Sequence, residues 1–503
     1  MSVKPTVAYL QKVNQYRSPI LTSPLPLLRE MLSRIMRRFK KVLQRVRSKG
    51  SPPPPPPPPA AQAAISEQRG PPPSQPPAPG PAAATAATAA PTPQATGSML
   101  NIALQNQTTS QTVYAYVTGR ALDRGNAWFL LSADGHTPYY PSSPSSVGSP
   151  IAQNCAIPLG RPGNTVTVTI PHIAGGRIWF SIDAPLTFLL NPGPALVEPS
   201  VTNASDPNIH TNWGFAEFTF NSDQLYANIS YVDFVGPPIA LTLTSATLPP
   251  QHVAGMPSDG LDQVCAGLRA QHARDNQGWD QLIVTTTAAQ GAGQQPRNLR
   301  ALSPNQAMVT NPALFATYYD DYVGRAWRKF AAQPMSVDTQ AAFGTVAAQV
   351  DHGSGMLNFR VVDGAATGNA GGSATLLSFT KPSTRDIFSC STGPFATGPD
   401  PAVNAIIPRL AAAFNRSTLL ETDVFPAPPA LYYKDGTTNH YSRIVHAVNL
   451  DGKGYAFPYD DVQPSGGADQ SGEVHAGDPV LFTVTVGGGN AAGAAGTSPR
   501  REL

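Results

Sequence analysis

Charge is scarce in this chain: Asp, Glu, Lys and Arg together make up 13% of its 503 residues. Cysteine is scarcer still. Cys155, Cys265 and Cys390 are too few and too scattered for a disulfide framework or a zinc site, so they are read as buried free thiols, with a single bridge at most as the alternative. No apolar run reaches the roughly eighteen residues of a membrane span. The one leader-like stretch, "LTSPLPLL", is short and interrupted by proline, so no signal peptide is visible and the location is left open. No phosphate-binding glycine loop or serine-nucleophile elbow occurs, and His210, His440 and His446 lack metal-ligand spacing. His440 is read either as a sugar contact or as a hydrogen-bonded structural histidine.

What the chain does have is 54 prolines and 43 glycines, a profile of short strands and turns beside low-complexity sequence, with 41% apolar residues to fill real cores. A β-rich protein of two or three domains is expected. The net charge of +3 conceals an asymmetry: residues 1–50 carry twelve Lys or Arg against Glu30 alone. Beyond residue 97 there remain twenty-one basic and twenty-nine acidic residues, a net of −8. A slightly acidic body cannot neutralise phosphates, which argues against a nucleic-acid partner and for a neutral or weakly polar one.

Residues 26–49, "PLLREMLSRIMRRFKKVLQRVRSK", put Leu28, Leu32, Ile35, Phe39, Val42 and Val46 at three- and four-residue steps among basic residues. That spacing predicts a basic amphipathic helix, suited to contact with an anionic membrane surface or to organelle targeting. An appendage without a dedicated role, with Met99 as an internal start, is the plainer alternative. Residues 51–97, opening with "SPPPPPPPP", read as an extended, disordered spacer, and 488–503 as a tail.

From residue 99 short β segments follow one another, among them "LNIALQN", "TVTVTI", "GRIWFSI", "WGFAEFTF" and "LYANISYVDF", separated by Gly, Pro, Asn and Asp turns. Helices are expected in "SDGLDQVCAGLRAQHARD" with Ser258 as cap, after Asn311 and Pro312, and in "DPAVNAIIPRLAAAFNRS", broken at Pro408. Strands return in "YSRIVHAVN" and "PVLFTVTVGG". The architecture so predicted is mainly β with an α/β insertion: a β-barrel or sandwich over 99–250, a mixed α/β domain over 251–430, and a return to the β domain over 431–487, with a binding cleft between them.

In "WGFAEFTFNSDQLYANISYVDF", residues 213–234, strand alternation puts Trp213, Phe215, Glu217 and Thr219 on one face, with Asn221 continuing the row. A carboxyl beside aromatic rings and short polar side chains suits a sugar site: rings cover pyranose faces, polar groups bond hydroxyls, and an acid protonates the glycosidic oxygen. A half-solvated strand glutamate is the bland alternative. Asp233 follows on the next strand. A five-residue hairpin loop would put it on the face of Glu217, and a four-residue loop on the opposite one. Even the favourable register leaves roughly 13 Å between backbones, which fits an inverting pair about 6.5–9.5 Å apart better than a retaining pair at about 5 Å.

Together "NPGPALVEPSVTNASDPN", "WGFAEFTFNSDQLYANISYVDFVGPPIAL", "FTKPSTRDIFSCSTGPF" and "NHYSRIVHAVNLDGKGYAFPYDDV" resemble glycoside hydrolase family 64, the thaumatin-like endo-β-1,3-glucanases of laminaripentaose-producing type. The resemblance covers about 99–487. It implies a thaumatin-like β-barrel or sandwich plus a mixed α/β domain flanking a wide groove for β-1,3-glucan, including its triple helix, and hydrolysis with inversion and no cofactor. It further implies that Glu217 is the general acid and Asp233 the general base, and that Thr219 and Asn221 contact sugar. Tyr226 stands where relatives carry a tryptophan platform, and Trp213 belongs to the same aromatic surface. Asp460 and Asp461, after Phe457 and Tyr459, are placed at the groove as substrate contacts or support for the base, or else form a turn of solvated aspartates. The family is typically secreted; the sequons at Asn106, Asn203, Asn228 and Asn415 permit that.

The sequence thus reads as an inverting endo-β-1,3-glucanase acting on laminarin or cell-wall glucan. The alternatives are a non-catalytic thaumatin-like β-glucan-binding protein and an envelope-tethered interaction protein anchored through residues 26–49.

Overall fold

A computed structural model describes residues 97–286, 296–362 and 375–489. The basic helix expected at 26–49, the proline-rich spacer and the tail beyond 489 lie outside the described residues. The described part is mainly β with a few helices. A five-stranded sheet runs in the order Gln251–Val253, Ile239–Ser245, Pro479–Val486, Met99–Asn106, Thr165–Pro171. Its segments "TVTVTIP", "IALTLTS" and "PVLFTVTV" alternate as half-buried strands must: Val168, Ile170, Leu241, Leu243, Phe482 and Val484 are buried, with threonines between them.

An eight-stranded sheet runs Glu473–Ala476, Leu225–Ile229, Asn212–Phe220, Ile173–Ile182, Val113–Ala121, Ala127–Leu131, Pro138–Tyr139, with Ile157–Pro158 paired to Val113–Ala121. Both of its faces are occupied. Ala216, Phe218, Phe220, Ile178 and Phe180 are buried on one, Trp213, Phe215 and Trp179 on the other. Gly176 lies directly opposite Phe218, and a Cβ there would come within 2.4 Å of the Phe218 ring, so only glycine leaves room for it.

The helices hold several departures from the sequence-based expectations. Gly260–Asp275 begins after Asp259, not Ser258, and neither side chain caps it. The helix expected after Pro312 starts only at Asp320. An unforeseen short helix, Pro304–Thr310, precedes it, with Ser303 accepting from the Gln306 N–H. Pro401–Asn415 runs unbroken through Pro408: the proline costs about 3 kcal/mol in a helix interior, and a helix buried around most of its circumference offsets that by packing. His440–Val448 is a helix where a strand was expected; Asn439 accepts from the Ser442 N–H, and Tyr441, Ile444, Val445 and Val448 recur at helical steps. This helix packs on Gly260–Asp275 at Gly267, whose ideal Cβ would lie 2.9 Å from Ile444.

The three cysteines are free and buried, as expected. Of the sequons, Asn106, Asn228 and Asn415 are buried, and the amide nitrogens of Asn106 and Asn415 already donate to backbone carbonyls. The folded chain does not offer them for glycosylation.

Asp460 corrects the expectation of a groove residue. Its carboxyl is fully buried, where it accepts from Arg416 Nη2 at 2.9 Å, from the Ala456 N–H at 2.9 Å and from His446 Nε2 at 2.9 Å. His446 Nδ1 lies 3.0 Å from the Gly452 carbonyl, an acceptor only, so both ring nitrogens face acceptors and the charged imidazolium fits. Burial opposes that charge, but the Asp460 carboxylate outweighs it and raises the His446 pKa. Burial likewise pushes Asp460 up, and His446, Arg416 and the Ala456 N–H outweigh it, holding the carboxyl below its ordinary value. The cluster ties the loop 454–462 to two helices, which is why neither oxygen is left for a substrate.

Three outcomes follow for stability. Asp460→Asn should cost about 3–5 kcal/mol, because the Arg416 charge stays buried and uncompensated. His446 contributes fully below its unfolded pKa near 6.5 and loses that contribution as pH rises through the raised folded value; Asp460 contributes above about 3.9 and loses it as pH falls through the lowered one. Urea unfolding against pH should therefore show an alkaline-side decline that His446→Gln flattens, and parallel curves for the two proteins would refute the assignment. Gly176→Ala should lower the urea midpoint by about 1–3 kcal/mol in stability through overpacking.

Candidate active site

One cross-strand row organises the site. Thr118 pairs with Arg177, Arg177 with Glu217, Glu217 with Asn228 and Asn228 with Glu473, so five strands present these side chains on one face of the eight-stranded sheet. One step along the strands on the same face, Thr219 pairs with Tyr226 and Tyr226 with His475. One step the other way lie Phe215, Trp179 and Tyr116. The aromatic end is closed. Trp179 meets Phe215 at 4.9 Å and Trp213 at 5.6 Å, and Phe234 lies edge-on to Trp213 at 4.9 Å. At 1% exposure, with its Nε1–H donating to the Asn208 carbonyl, Trp213 has no ring face for a sugar; it belongs to the floor of the site, contrary to the sequence-based expectation.

Glu217 sits where this floor ends, 13% exposed. Arg177 Nη2 donates to its Oε1 at 3.5 Å, while Arg177 Nη1 donates to Glu198 Oε2 at 2.5 Å. The Arg177 guanidinium also lies over the Phe215 ring at 4.8 Å. A desolvated cation between two carboxylates is held more tightly than a surface pair.

The hairpin after Glu217 has a four-residue loop, since Phe220 pairs with Leu225. Asn221 makes that turn, its Oδ1 accepting from the N–H groups of Asp223 and Gln224. By alternation alone such a loop would turn Asp233 away from Glu217. The strand ends at Ile229, however, and the chain changes course: Ser230 bridges Tyr455, and Tyr441 Oη donates to the Tyr231 carbonyl at 2.7 Å. Phe234 then lands on Trp213 and on Phe215, 6.0 Å away, which delivers this segment to the Glu217 side of the sheet. Asp233 is held there at both ends, its carbonyl accepting from the Ser303 N–H at 2.9 Å and its Oδ1 from Gln306 Nε2 at 2.8 Å. Ser303 and Gln306 belong to the start of the unforeseen helix Pro304–Thr310, so the sequence reading had no means of seeing what fixes Asp233.

Tyr226 is half-buried, and burial together with the Glu473 carboxylate, to which it hydrogen-bonds, raises its phenol well above the usual range. Asp461 joins this group: burial raises its carboxyl, against a hydrogen bond from Tyr455, and Glu473 adds repulsion. Thus Glu217, Thr219 and Tyr226 share one face, Asp461 borders it, Asn221 is at the hairpin tip, and Trp213 and Asp460 are interior.

Arg177, Glu198 and Glu473 were missed by the sequence reading. Arg177 had a signal, as the one charged residue in the strand "IAGGRIWFSI", on the face of Trp179. Glu198 stands in a loop, and its proximity to Glu217 arises only from tertiary folding. Among the described residues, no three His, Cys, Asp or Glu side chains are grouped to hold a metal ion.

Residues 98–486 match the profile of glycoside hydrolase family 64, described as Beta-1,3-glucanase. A glucan endo-1,3-beta-glucosidase of Cellulosimicrobium cellulans is 28% identical over 317 residues, 63% of this chain and 52% of that protein. One of an Arthrobacter species matches to the same extent. The chain spans about half the length of these curated relatives. Among solved structures, a laminaripentaose-producing beta-1,3-glucanase in complex with laminaritetraose is 28% identical with a TM-score of 0.66, covering 78% of this chain and 99% of that one. A beta-1,3-glucanase domain from Clostridium beijerinckii, at 21% identity and a TM-score of 0.59, covers 78% of this chain and 100% of that one and shares the fold. With more than three-quarters of its length matched to the profile, the chain belongs to glycoside hydrolase family 64.

Proposed function

We propose that the protein is an endo-β-1,3-glucanase that hydrolyses laminarin-like or cell-wall β-1,3-glucan with inversion at the anomeric carbon. The observation that carries this reading is Glu217 at the rim of a rigid aromatic floor, in hydrogen-bonding distance of Arg177 and beside half-buried Thr219 and Tyr226. The names of the relatives support the same substrate class. Glu217 donates its proton to the glycosidic oxygen as the bond to the anomeric carbon breaks. Asp233, fixed by Gln306, takes a proton from the water that attacks that carbon from the opposite face. Thr219, Asn221 and Tyr226 bond or cover the neighbouring sugars, and Asp461 supports Tyr226. An uncharged polysaccharide suits a body of low net charge.

The finer architecture we infer is thaumatin-like, a β-barrel or sandwich beside a mixed α/β part, with a wide groove that admits a single or triple-helical glucan. Family membership supports it, as does the rejoining of the first sheet by Pro479–Val486.

Incubation with laminarin, followed by proton NMR during the first turnovers, should show new reducing ends appearing as the α-anomer. First-formed β-anomer would overturn inversion. Glu217→Gln and Asp233→Asn should each lower kcat by about 10²–10⁴-fold while pull-down on insoluble β-1,3-glucan persists. A wild-type protein that binds glucan and releases no oligosaccharide would instead be a carbohydrate-binding protein.

A further inference from the structure

Two donors converge on Glu198. Trp179 Nε1–H can only donate, and it does so to Thr118 Oγ1 at 3.0 Å. The Thr118 hydroxyl therefore gives its own proton onward, to Glu198 Oε1 at 2.9 Å. Arg177 Nη1 donates to Glu198 Oε2 at 2.5 Å. Both Glu198 oxygens thus accept, the pattern that a carboxylate presents. Its side chain is 7% exposed, Arg177 is 9% exposed, and solvent contributes little screening there.

The second nitrogen of the same guanidinium faces Glu217. Left alone, a cation at 3.5 Å would draw the proton off Glu217 and spoil it as an acid. Glu198 sits closer to that cation and cancels it. A proton on Glu217 leaves the trio neutral; its loss leaves one net negative charge in a poorly solvated place.

We propose that Glu198 is a positioning residue for the reaction: it takes up the Arg177 charge so that Glu217 keeps the proton it must donate. This rests on the reading of Glu217 as the general acid. Other polar groups turned to this face are Asn228 on the neighbouring strand, Glu473 one strand beyond, Arg120, next to Thr118 on its strand, and, one step along, Thr219, Tyr226 and His475, with Asp461 at the border. The Arg120 guanidinium lies 3.6 Å over the Trp128 ring and also feels the Glu198 carboxylate. Asp233 on the 230–235 segment is tied to Gln306. Glu198 alone among them meets Arg177 at 2.5 Å.

The test is the pH profile of kcat/KM on laminarin for the full chain. Activity that needs protonated Glu217 falls as pH rises, so the alkaline limb reports that group. Glu198→Gln, which keeps the shape and drops the charge, should move this limb to lower pH by about one unit, with the acid-side plateau within tenfold of wild type. Glu198→Asp should leave the limb near its original place. The double variant Glu198→Gln, Arg177→Gln, in which both charges are gone, should return it toward wild type. An alkaline limb unmoved by Glu198→Gln overturns the proposal, as does failure of the double variant to restore it. Should Glu198→Gln not fold, judged by near-ultraviolet circular dichroism, Arg177→Gln decides: the limb should rise, and an unchanged or lower limb overturns the idea. Glu217→Gln is run alongside. If it retains activity, the general-acid reading itself fails; if it is inactive while Glu198→Gln shifts nothing, only the present proposal fails.

Discussion

Cross-strand register is the constraint on which this molecule depends. Arg177, Glu217, Asn228 and Glu473 face one another because four strands pair without slippage at that level, and a one-residue slip would send each side chain to the opposite face. The register is pinned on the far side by Gly176, which yields its side-chain space to the Phe218 ring, and on the near side by the Trp179, Phe215 and Trp213 cluster. Large rings that interlock on both faces leave the strand between them one position to occupy. The arrangement of the candidate site is thus set by packing on both faces of the sheet.

Polar groups then divide into two kinds. Asp460, His446 and Arg416 bond to one another in the interior and join a loop to two helices. Glu198, Arg177 and Glu217 are similarly shielded, but one member, Glu217, sits at the rim. A closed network contributes rigidity; an open-ended one can hand a proton outward. The same residue types serve either purpose, and the difference lies in whether the last member reaches the surface.

Much of this was legible in the sequence. Alternation in "WGFAEFTF" placed Trp213, Phe215, Glu217 and Thr219 on one face, and the β-branched repeats of the first sheet announced themselves. Three things were not. Exposure cannot be read from alternation alone, so Trp213 on the right face looked like a platform although Phe234, from a later segment, covers it. Adjacent aspartates look alike, yet Asp460 turns inward to Arg416 and Asp461 lies beside Tyr455. The hairpin argument assumed that the second strand continues to Asp233, whereas pairing with Tyr455 redirects the chain after Ile229. Behind each failure stands a partner from another segment: Phe234 is 21 residues from Trp213, Arg416 is 44 from Asp460 and Tyr455 is 225 from Ser230, and no local period encodes them.

Met99–Asn106 and Pro479–Val486 lie side by side in parallel in the middle of their sheet, and Thr485 reaches Gln105 across 380 residues of chain. A ribosome completes the second of these strands only after nearly all the intervening sequence has emerged. Until then Met99–Asn106 has an unpaired edge, and Ile239–Ser245 has no bridge to it. Closure of this sheet must therefore wait until Pro479–Val486 has emerged, and a nascent chain carrying an open, β-branched edge for so long has reason to need a chaperone.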